Sequence, residues 1–138
     1  MALRFHASWF NTNVEKELVD INLYIMEMIN YGKEMIRINS QKNVIEYSTN
    51  GGRSWTPRYI GSFCGIFSDL YQYGKELLAC TTKGLYVSTN EGRSWTIRYT
   101  GSFCGTFLQL STDGRYLLAT TSNGLYCSTN DGKSWTKR

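Results

Sequence analysis

Two nearly identical segments place an arginine next to several aromatic side chains. They read RYIGSFCG at 58–65 and RYTGSFCG at 98–105. A guanidinium group donates directional hydrogen bonds and an aromatic ring offers a flat apolar face, which together suit a sugar, a carboxylate or the polar edge of a protein partner. We predict ligand contacts from the arginines and rings of both segments, namely Arg58, Tyr59, Phe63, Arg98, Tyr99 and Phe103. The alternative is that the rings pack internally and the arginines are solvated.

Other patterns of catalytic or metal-binding residues are missing from the sequence. His6, the single histidine, has no Cys or Ser at motif spacing, so a structural or surface role is favoured. There is no Cys-x-x-Cys, no His-Glu-x-x-His and no phosphate-cradling glycine loop. We therefore predict no metal site and no cofactor.

The two segments are part of a tandem repeat with a period of 40 residues. Its most regular part is a box that reads STNGGRSWT at 48–56, STNEGRSWT at 88–96 and STNDGKSWT at 128–136. When 57–96 is paired with 97–136 without a gap, 24 of the 40 positions are identical. Identity at this level requires that both units adopt one fold.

Each repeat has the turn signals of four short strands. In the second unit they are Tyr73-Gly74-Lys75, Lys83-Gly84 and Asn90-Glu91-Gly92, each a hairpin signal between runs rich in β-forming residues. Four antiparallel strands in about 40 residues make one blade of a β-propeller. We predict an all-β fold of three four-stranded meander blades, at 18–58, 59–98 and 99–138, in one repeat domain that covers 1–138.

The first unit is less regular than the others. Alignment with the second unit predicts its first strand at 22–30, whereas 14–20 also fits a helical spacing. Residues 1–17 are a leading segment or a closing strand, because 6–10 resemble the end of a box and suit pairing with the last blade.

Cysteine usage favours free thiols. Cys80 is replaced by Thr120 in the next repeat, and Cys127 stands where Val87 stood, so these residues behave as small packing side chains. Four free thiols are typical of a reducing compartment, and a cytoplasmic location is favoured. The chain as given has no apolar run of signal-peptide or membrane-spanning length.

The charge of the chain is only moderately positive. Its 15 basic and 11 acidic residues give +4 and form no run, so neither nucleic acid nor a membrane is indicated as a partner. One basic residue does recur in every box, at Arg53, Arg93 and Lys133. This row either serves solubility or forms an arc that binds a partner.

Arg37 differs from its repeat equivalents, Ala79 and Ala119. A charge in a slot that otherwise holds alanine needs a partner or an opening. Arg37 is therefore either an arginine that reaches the surface of an end blade or an anion-binding group.

The boxes resemble the Asp-box, or bacterial neuraminidase repeat (BNR), of sialidases, sortilin-like propellers and photosystem assembly factors. The usual form is Ser-x-Asp-x-Gly-x-Thr-Trp, whereas here Asn replaces Asp and Ser replaces Thr in every copy. The resemblance implies a structural role, in which the polar side chains and the glycine shape the turn and the Trp packs on it. The residues concerned are Ser48, Asn50, Gly52, Trp55, Ser88, Asn90, Gly92, Trp95, Ser128, Asn130, Gly132 and Trp135.

The resemblance to sialidases also implies a catalytic set that is not recognisable here. That set has an arginine cluster for the sugar carboxylate, a tyrosine nucleophile activated by a glutamate, and an aspartate as acid/base. The stretch 35–39 only faintly echoes the family's arginine motif, because it lacks the aromatic residue and the proline. We expect no enzymatic activity of the single chain.

Three blades do not close a ring, since closed propellers have about four to eight. We predict a homodimer that completes a six-bladed ring; the alternative is a piece of a longer propeller. The leading functional hypothesis is a non-enzymatic module that binds a carbohydrate or a protein at its blade junctions. The alternatives are a sialidase-like glycoside hydrolase assembled only in the oligomer, and a structural or engineered scaffold without a ligand.

Overall fold

The computed structural model describes residues 28–138 together with the strand Leu3–Phe5, and these residues form three antiparallel sheets. The first sheet consists of β1 Leu3–Phe5, β2 Met28–Asn30, β3 Met35–Asn39, β4 Val44–Ser48 and β5 Thr56–Ile60. The second consists of β6 Phe67–Tyr73, β7 Glu76–Thr81, β8 Gly84–Ser88 and β9 Thr96–Tyr99. The third consists of β10 Phe107–Thr112, β11 Leu117–Thr121, β12 Gly124–Ser128 and β13 Thr136–Lys137.

Each sheet contains four consecutive strands in meander order, which confirms the predicted all-β fold of three blades. The first sheet has one more strand, because β1 pairs antiparallel with β2. The predicted first strand at 22–30 is seen in its described part, Met28–Asn30. The possible helix at 14–20 and the predicted closing segment at 6–10 lie outside the described residues, as does His6.

The meander order divides the connections between two ends of the sheets, because antiparallel neighbours reverse direction. One end carries the three boxes and the hairpin turns 31–34, 74–75 and 113–116, and we call it the box end. The other carries the turns 40–43, 82–83 and 122–123 and the connections 61–66 and 101–106, and we call it the loop end. The turn 40–43 is longer than its counterpart at 82–83, as the extra residues of the first repeat require.

The sheets stack face to face and bury two apolar layers. One side chain in two is buried along β3, whereas every residue of β7 after Glu76 is buried. The second sheet is buried on both faces because it lies between the other two. Fully burying one of its leucines, such as Leu77 or Leu78, contributes about 1.5–3 kcal/mol.

The first strands of neighbouring sheets also meet directly. The Leu110 amide donates to Asp69 Oδ2 at 2.8 Å, and the Ser68 hydroxyl donates to the Phe107 carbonyl at 3.2 Å. β6 contacts β10 in this way and also contacts β2, so the sheets converge at β2, β6 and β10, the strands with which the three four-stranded meanders begin, as blades do around an axis.

The outer face of the third sheet is more polar than its counterparts. Tyr71, Tyr73 and Cys80 of the second sheet pack against the third. Their equivalents in the third sheet are the exposed residues Ser111, Asp113 and Thr120. The two inner junctions are thus more apolar than the face that follows them.

Each box is closed by a hydrogen-bond network between its side chains and its backbone. In the first box the Gly52 amide donates to Ser48 Oγ at 2.9 Å, and the Ser54 amide donates to Asn50 Oδ1 at 3.0 Å. Asn50 Nδ2 donates to Ser54 Oγ at 2.8 Å, and the second and third boxes repeat these bonds. An ionised aspartate can only accept hydrogen bonds. The asparagine of these boxes can also donate through its amide nitrogen, and the serine hydroxyl accepts that hydrogen bond.

The box glycine and the box tryptophan form one unit. Gly92 and Gly132 have φ of +87°, a conformation that other residues adopt only at a cost. A β-carbon on Gly92 would lie 3.6 Å from the Trp95 ring. Trp95 and Trp135 are buried, whereas Trp55 of the first sheet is half-buried.

Candidate functional site

Arg58 forms a clamp between the first and second sheets. Its two terminal nitrogens donate to the two carboxylate oxygens of Glu34 at 2.5 and 2.7 Å, and Nη1 also donates to the Glu91 carbonyl at 3.2 Å. The guanidinium carbon lies 4.1 Å from the centroid of the Tyr47 ring. Only 4% of the side chain is exposed, so its donors are engaged within the chain. The hydrogen-bonded ion pair lowers the pKa of Glu34 and raises the pKa of Arg58.

Arg98 repeats this arrangement between the second and third sheets. It donates to Glu76 Oε2 at 2.7 Å and to the Asp131 carbonyl at 2.6 Å. Its side chain is 9% exposed. Both predicted binding arginines therefore join one sheet to the box turn of the next.

Tyr59 and Tyr99 pack inside the loop-end connections. The Tyr59 ring stands edge-on to Phe67, and its hydroxyl lies 3.7 Å from Cys64 Sγ. Tyr99 lies in the same way beside Phe107, with its hydroxyl 3.8 Å from Cys104 Sγ. Burial raises the pKa of Tyr59 to about 12, so its hydroxyl stays protonated at neutral pH.

The four cysteines are free thiols. Cys64, Cys80 and Cys104 are buried and Cys127 is half-buried. Burial raises the pKa of Cys64 and of Cys104, which disfavours the reactive thiolate.

Phe63 and Phe103 are the predicted binding residues that face solvent. Phe63 is 57% exposed and Phe103 is 66% exposed. Each ring stands edge-on to a buried tyrosine, Tyr86 or Tyr126, with centroids 5.8 Å apart. These contacts hold the rings in place and leave much of their surface accessible.

Two isoleucines that sequence reasoning missed lie on either side of Phe63, Ile60 at the end of β5 and Ile66 in the connection 61–66. Ile60 is 71% exposed and Ile66 is 60% exposed. The equivalent positions of the next repeat hold Thr100 and Thr106, so residues 60–66 present three large apolar side chains whereas 100–106 present Phe103, with Leu108 exposed on the following strand β10. We call Ile60, Phe63 and Ile66 the first-junction platform. The sequence feature that could have identified them is the change from Ile to Thr, between the two repeats, on both sides of the identical GSFCG.

The backbone of the platform is fixed by hydrogen bonds on both sides. Asn43 Nδ2 donates to the Gly65 carbonyl and the Phe67 amide donates to Asn43 Oδ1, both at 2.9 Å. On the other side the Ile66 amide donates to Thr82 Oγ1 at 3.0 Å, and the Thr82 amide donates to the Ile66 carbonyl at 3.0 Å. The connection 61–66 is therefore held by the turns at 40–43 and 82–83.

Arg37 has a partner within its own sheet. Its Nε donates to Glu46 Oε1 at 2.9 Å, and the guanidinium carbon lies 4.1 Å from the centroid of the Trp55 ring. Asn39 Nδ2 donates to the second Glu46 oxygen at 3.2 Å. Arg37 and Glu46 are cross-strand neighbours, as Ala79 and Tyr86 are in the second sheet, so an ion pair replaces an Ala–Tyr pair. The Arg37 side chain is 31% exposed.

Within residues 28–138 no group of three His, Cys, Asp or Glu side chains is placed to hold a metal ion. In the same part of the chain no helix is long and apolar enough to cross a bilayer.

The BNR/Asp-box repeat family matches this chain at residues 46–57, which include the first box. No curated protein matches the chain by sequence.

Two solved structures of YCF48 have the same fold. One is "YCF48 bound to D1 peptide", with 18% identity, a TM-score of 0.58, and coverage of 75% of this chain and 35% of that one. The other is "YCF48 from Cyanidioschyzon merolae", with 21% identity, a TM-score of 0.55, and coverage of 78% of this chain and 40% of that one. This chain thus spans less than half the length of either structure. Together with the hydrogen-bonded boxes, the matches identify the three sheets as β-propeller blades built on BNR/Asp-box repeats.

Proposed function

We propose that this chain is a non-enzymatic binding module, and that its first-junction platform takes an apolar segment of a partner protein. The observation that carries the proposal is the exposure of three large apolar side chains, Ile60, Phe63 and Ile66, in one seven-residue stretch. Exposed apolar side chains grouped in this way are typical of protein interaction sites. Phe103, at the second junction, is an exposed aromatic side chain at the same loop end of the sheets.

The fixed backbone of the platform supports this function. A partner that binds a preorganised surface loses less conformational freedom than one that must order a loop. The hydrogen bonds from Asn43 and Thr82 hold the connection in the unbound chain. Little of the free energy gained from apolar contact is then lost to ordering the connection.

The chemistry of the platform favours a polypeptide over a carbohydrate. Sugars are recognised by polar donors and acceptors beside an aromatic face, and the isoleucine side chains provide neither. The donors expected from Arg58 and Arg98 are engaged by Glu34 and Glu76. YCF48, which has the same fold, is solved with a D1 peptide bound, so a scaffold of this kind can hold a polypeptide segment.

A substitution pair taken from the repeat itself tests the proposal. Ile60→Thr/Ile66→Thr gives the first junction the residues of the second, so the fold should be retained. Peptides selected from a random displayed library on the wild-type chain should bind this variant at least about tenfold more weakly, because part of two apolar contacts is lost.

The reverse pair, Thr100→Ile/Thr106→Ile, is the matched control. It should give the second junction a comparable platform beside Phe103 and raise the number of peptides bound per chain. Selection that enriches no peptide, or peptides that bind Ile60→Thr/Ile66→Thr as tightly as the wild type, would rule out the platform as the binding site.

The homodimeric ring stays a prediction. Its interface would use the outer face of the third sheet, where Ser111 and Asp113 replace Tyr71 and Tyr73, so we expect weaker association than between adjacent blades. Solution mass by light scattering decides between one chain and two.

A further inference from the structure

The box end carries six exposed basic side chains on equivalent turns. The first hairpin turn and the box turn of every sheet each provide one. They are Lys33, Lys75 and Arg115 on the hairpin turns, and Arg53, Arg93 and Lys133 on the box turns. We call these six residues the box-end cation rows. They lie at the opposite end of the sheets from the first-junction platform.

The stacking of the sheets sets the spacing within each row. Sheets that pack face to face are about 10 Å apart. The box ends of neighbouring sheets are joined by Arg58 and Arg98, and Tyr73 donates to Asp131 Oδ1 at 3.0 Å. The six cations therefore sit on a scaffold that is already assembled, with one pair on each blade.

The carboxylates of this end do not neutralise the rows. Glu34 and Glu76 are paired with the clamp arginines, and Asp113 is paired with Arg138 at 2.7 Å. Glu91 pairs with Arg93 at 3.0 Å. Among residues 28–138, the other five cations of the rows have no carboxylate within ion-pair distance. Asp131, on the third box turn, accepts a hydrogen bond from the Tyr73 hydroxyl and keeps its charge. Four of the five carboxylates at this end are thus paired with arginines, and the rows present a surplus of positive charge.

We infer that the box-end cation rows bind an acidic polypeptide segment. An extended chain advances about 3.3–3.6 Å per residue, so an acidic side chain at every third position meets successive blades about 10 Å apart. The ligand is recognised by charge, because none of the exposed large apolar side chains lies on these six turns.

The same observation disfavours other anionic partners. Single-stranded nucleic acid is usually held by exposed aromatic rings on which bases stack, and an anionic membrane by apolar side chains that enter it. The aromatic side chains on these turns are buried or half-buried, with Arg37 over the Trp55 ring and Arg115 over the Tyr116 ring, and no large aliphatic side chain is exposed there. The inference does not rest on the proposed function, since the two surfaces share no residue.

The test uses a fluorescein-labelled synthetic peptide of Glu-Gly-Ser repeats and fluorescence anisotropy on the full chain. Lys33→Ser/Lys75→Ser/Arg115→Ser should weaken binding roughly tenfold, because each exposed charge pair changes an equilibrium constant by about twofold. Arg53→Ser/Arg93→Ser/Lys133→Ser should weaken it similarly. Wild-type binding should fall as salt rises from low to physiological ionic strength.

Lys42→Ser/Lys83→Ser/Lys137→Ser is the matched control, because it removes three exposed cations away from the rows and lowers the net charge equally, from +4 to +1. It should change binding less than about twofold, the effect of a single exposed charge pair. Equal weakening by the control and either row variant would show a net-charge effect and overturn the inference, as would no binding by the wild type. Competition with unlabelled peptide, a single-stranded oligonucleotide and phosphatidylserine vesicles tests the ligand class. The inference would also be overturned if the oligonucleotide or the vesicles displaced the labelled peptide at a lower concentration of anionic groups than the unlabelled peptide does.

Discussion

Arg58→Ala should destabilise the chain strongly, although the sequence alone suggests a ligand-binding arginine. The substitution removes two hydrogen bonds to Glu34, one to the Glu91 carbonyl and the contact with the Tyr47 ring. It also leaves the Glu34 carboxylate at a blade junction without its counterion. The loss therefore falls on the joint between the first two blades.

The magnitude follows from burial. Removing one partner of a buried ion pair costs about 3–5 kcal/mol, and a lost cation–π contact about 0.5–1 kcal/mol. Since 21% of the Glu34 side chain is exposed, water recovers part of this cost, and we expect about 3 kcal/mol for Arg58→Ala. Arg98→Ala should cost about 2 kcal/mol, because Glu76 is 32% exposed and accepts a single bond. Arg93→Ala should cost less than about 0.5 kcal/mol, because Arg93 and Glu91 are both half-exposed.

Urea unfolding followed by tryptophan fluorescence measures the series. The free energy of unfolding should fall most for Arg58→Ala, less for Arg98→Ala and hardly for Arg93→Ala. The double variant Arg58→Ala/Glu34→Ala should be more stable than Arg58→Ala, because no unpaired carboxylate is left at the junction. An Arg58→Ala variant as stable as the wild type, or a double variant that loses the sum of the two single effects, would refute the clamp.

Two further predictions concern the backbone and the pH dependence. Gly84→Ala should lower the free energy of unfolding by well over about 2 kcal/mol, because Gly84 has φ of +134° and a β-carbon there would lie 2.4 Å from the Tyr99 carbonyl oxygen. Gly74→Ala is the control, since Gly74 has φ of +62° with open space around it. It should lower the free energy of unfolding by only about 1–2 kcal/mol in the same urea assay. Equal costs would contradict the clash. The lowered pKa of Glu34 means that its contribution to stability is full above its ordinary pKa of 4.5 and is lost as the pH falls through the lower folded value. The difference in unfolding free energy between the wild type and Glu34→Gln should therefore become smaller as the pH falls from about 5 to 3. A difference that grows on acidification would show that the folded chain does not favour the ionised carboxylate of Glu34.

The blade architecture was predictable because its signals are local. The hairpin turns, the alternating strands and the box act through residues that are at most a few positions apart, such as Asn50 and Ser54. The period of 40 residues then required the same fold in successive units. The aromatic segments at 58–65 and 98–105 were likewise correctly expected at blade junctions, since each connects one meander to the next.

The roles of individual residues at those junctions were decided by contacts between distant parts of the chain. Arg58 meets Glu34 across 24 positions, and no spacing rule reveals that this pair is buried. Residue types likewise did not show that Tyr59 turns inward while Ile60 and Ile66 stay exposed, because exposure depends on which sheet packs on which face. The sequence alone determined the repeat, because its copies can be compared directly, and the strands and the box, because their signals are short-range. The tertiary structure decided which charges are engaged and which apolar side chains remain accessible, because burial and ion pairing arise only when the blades are stacked.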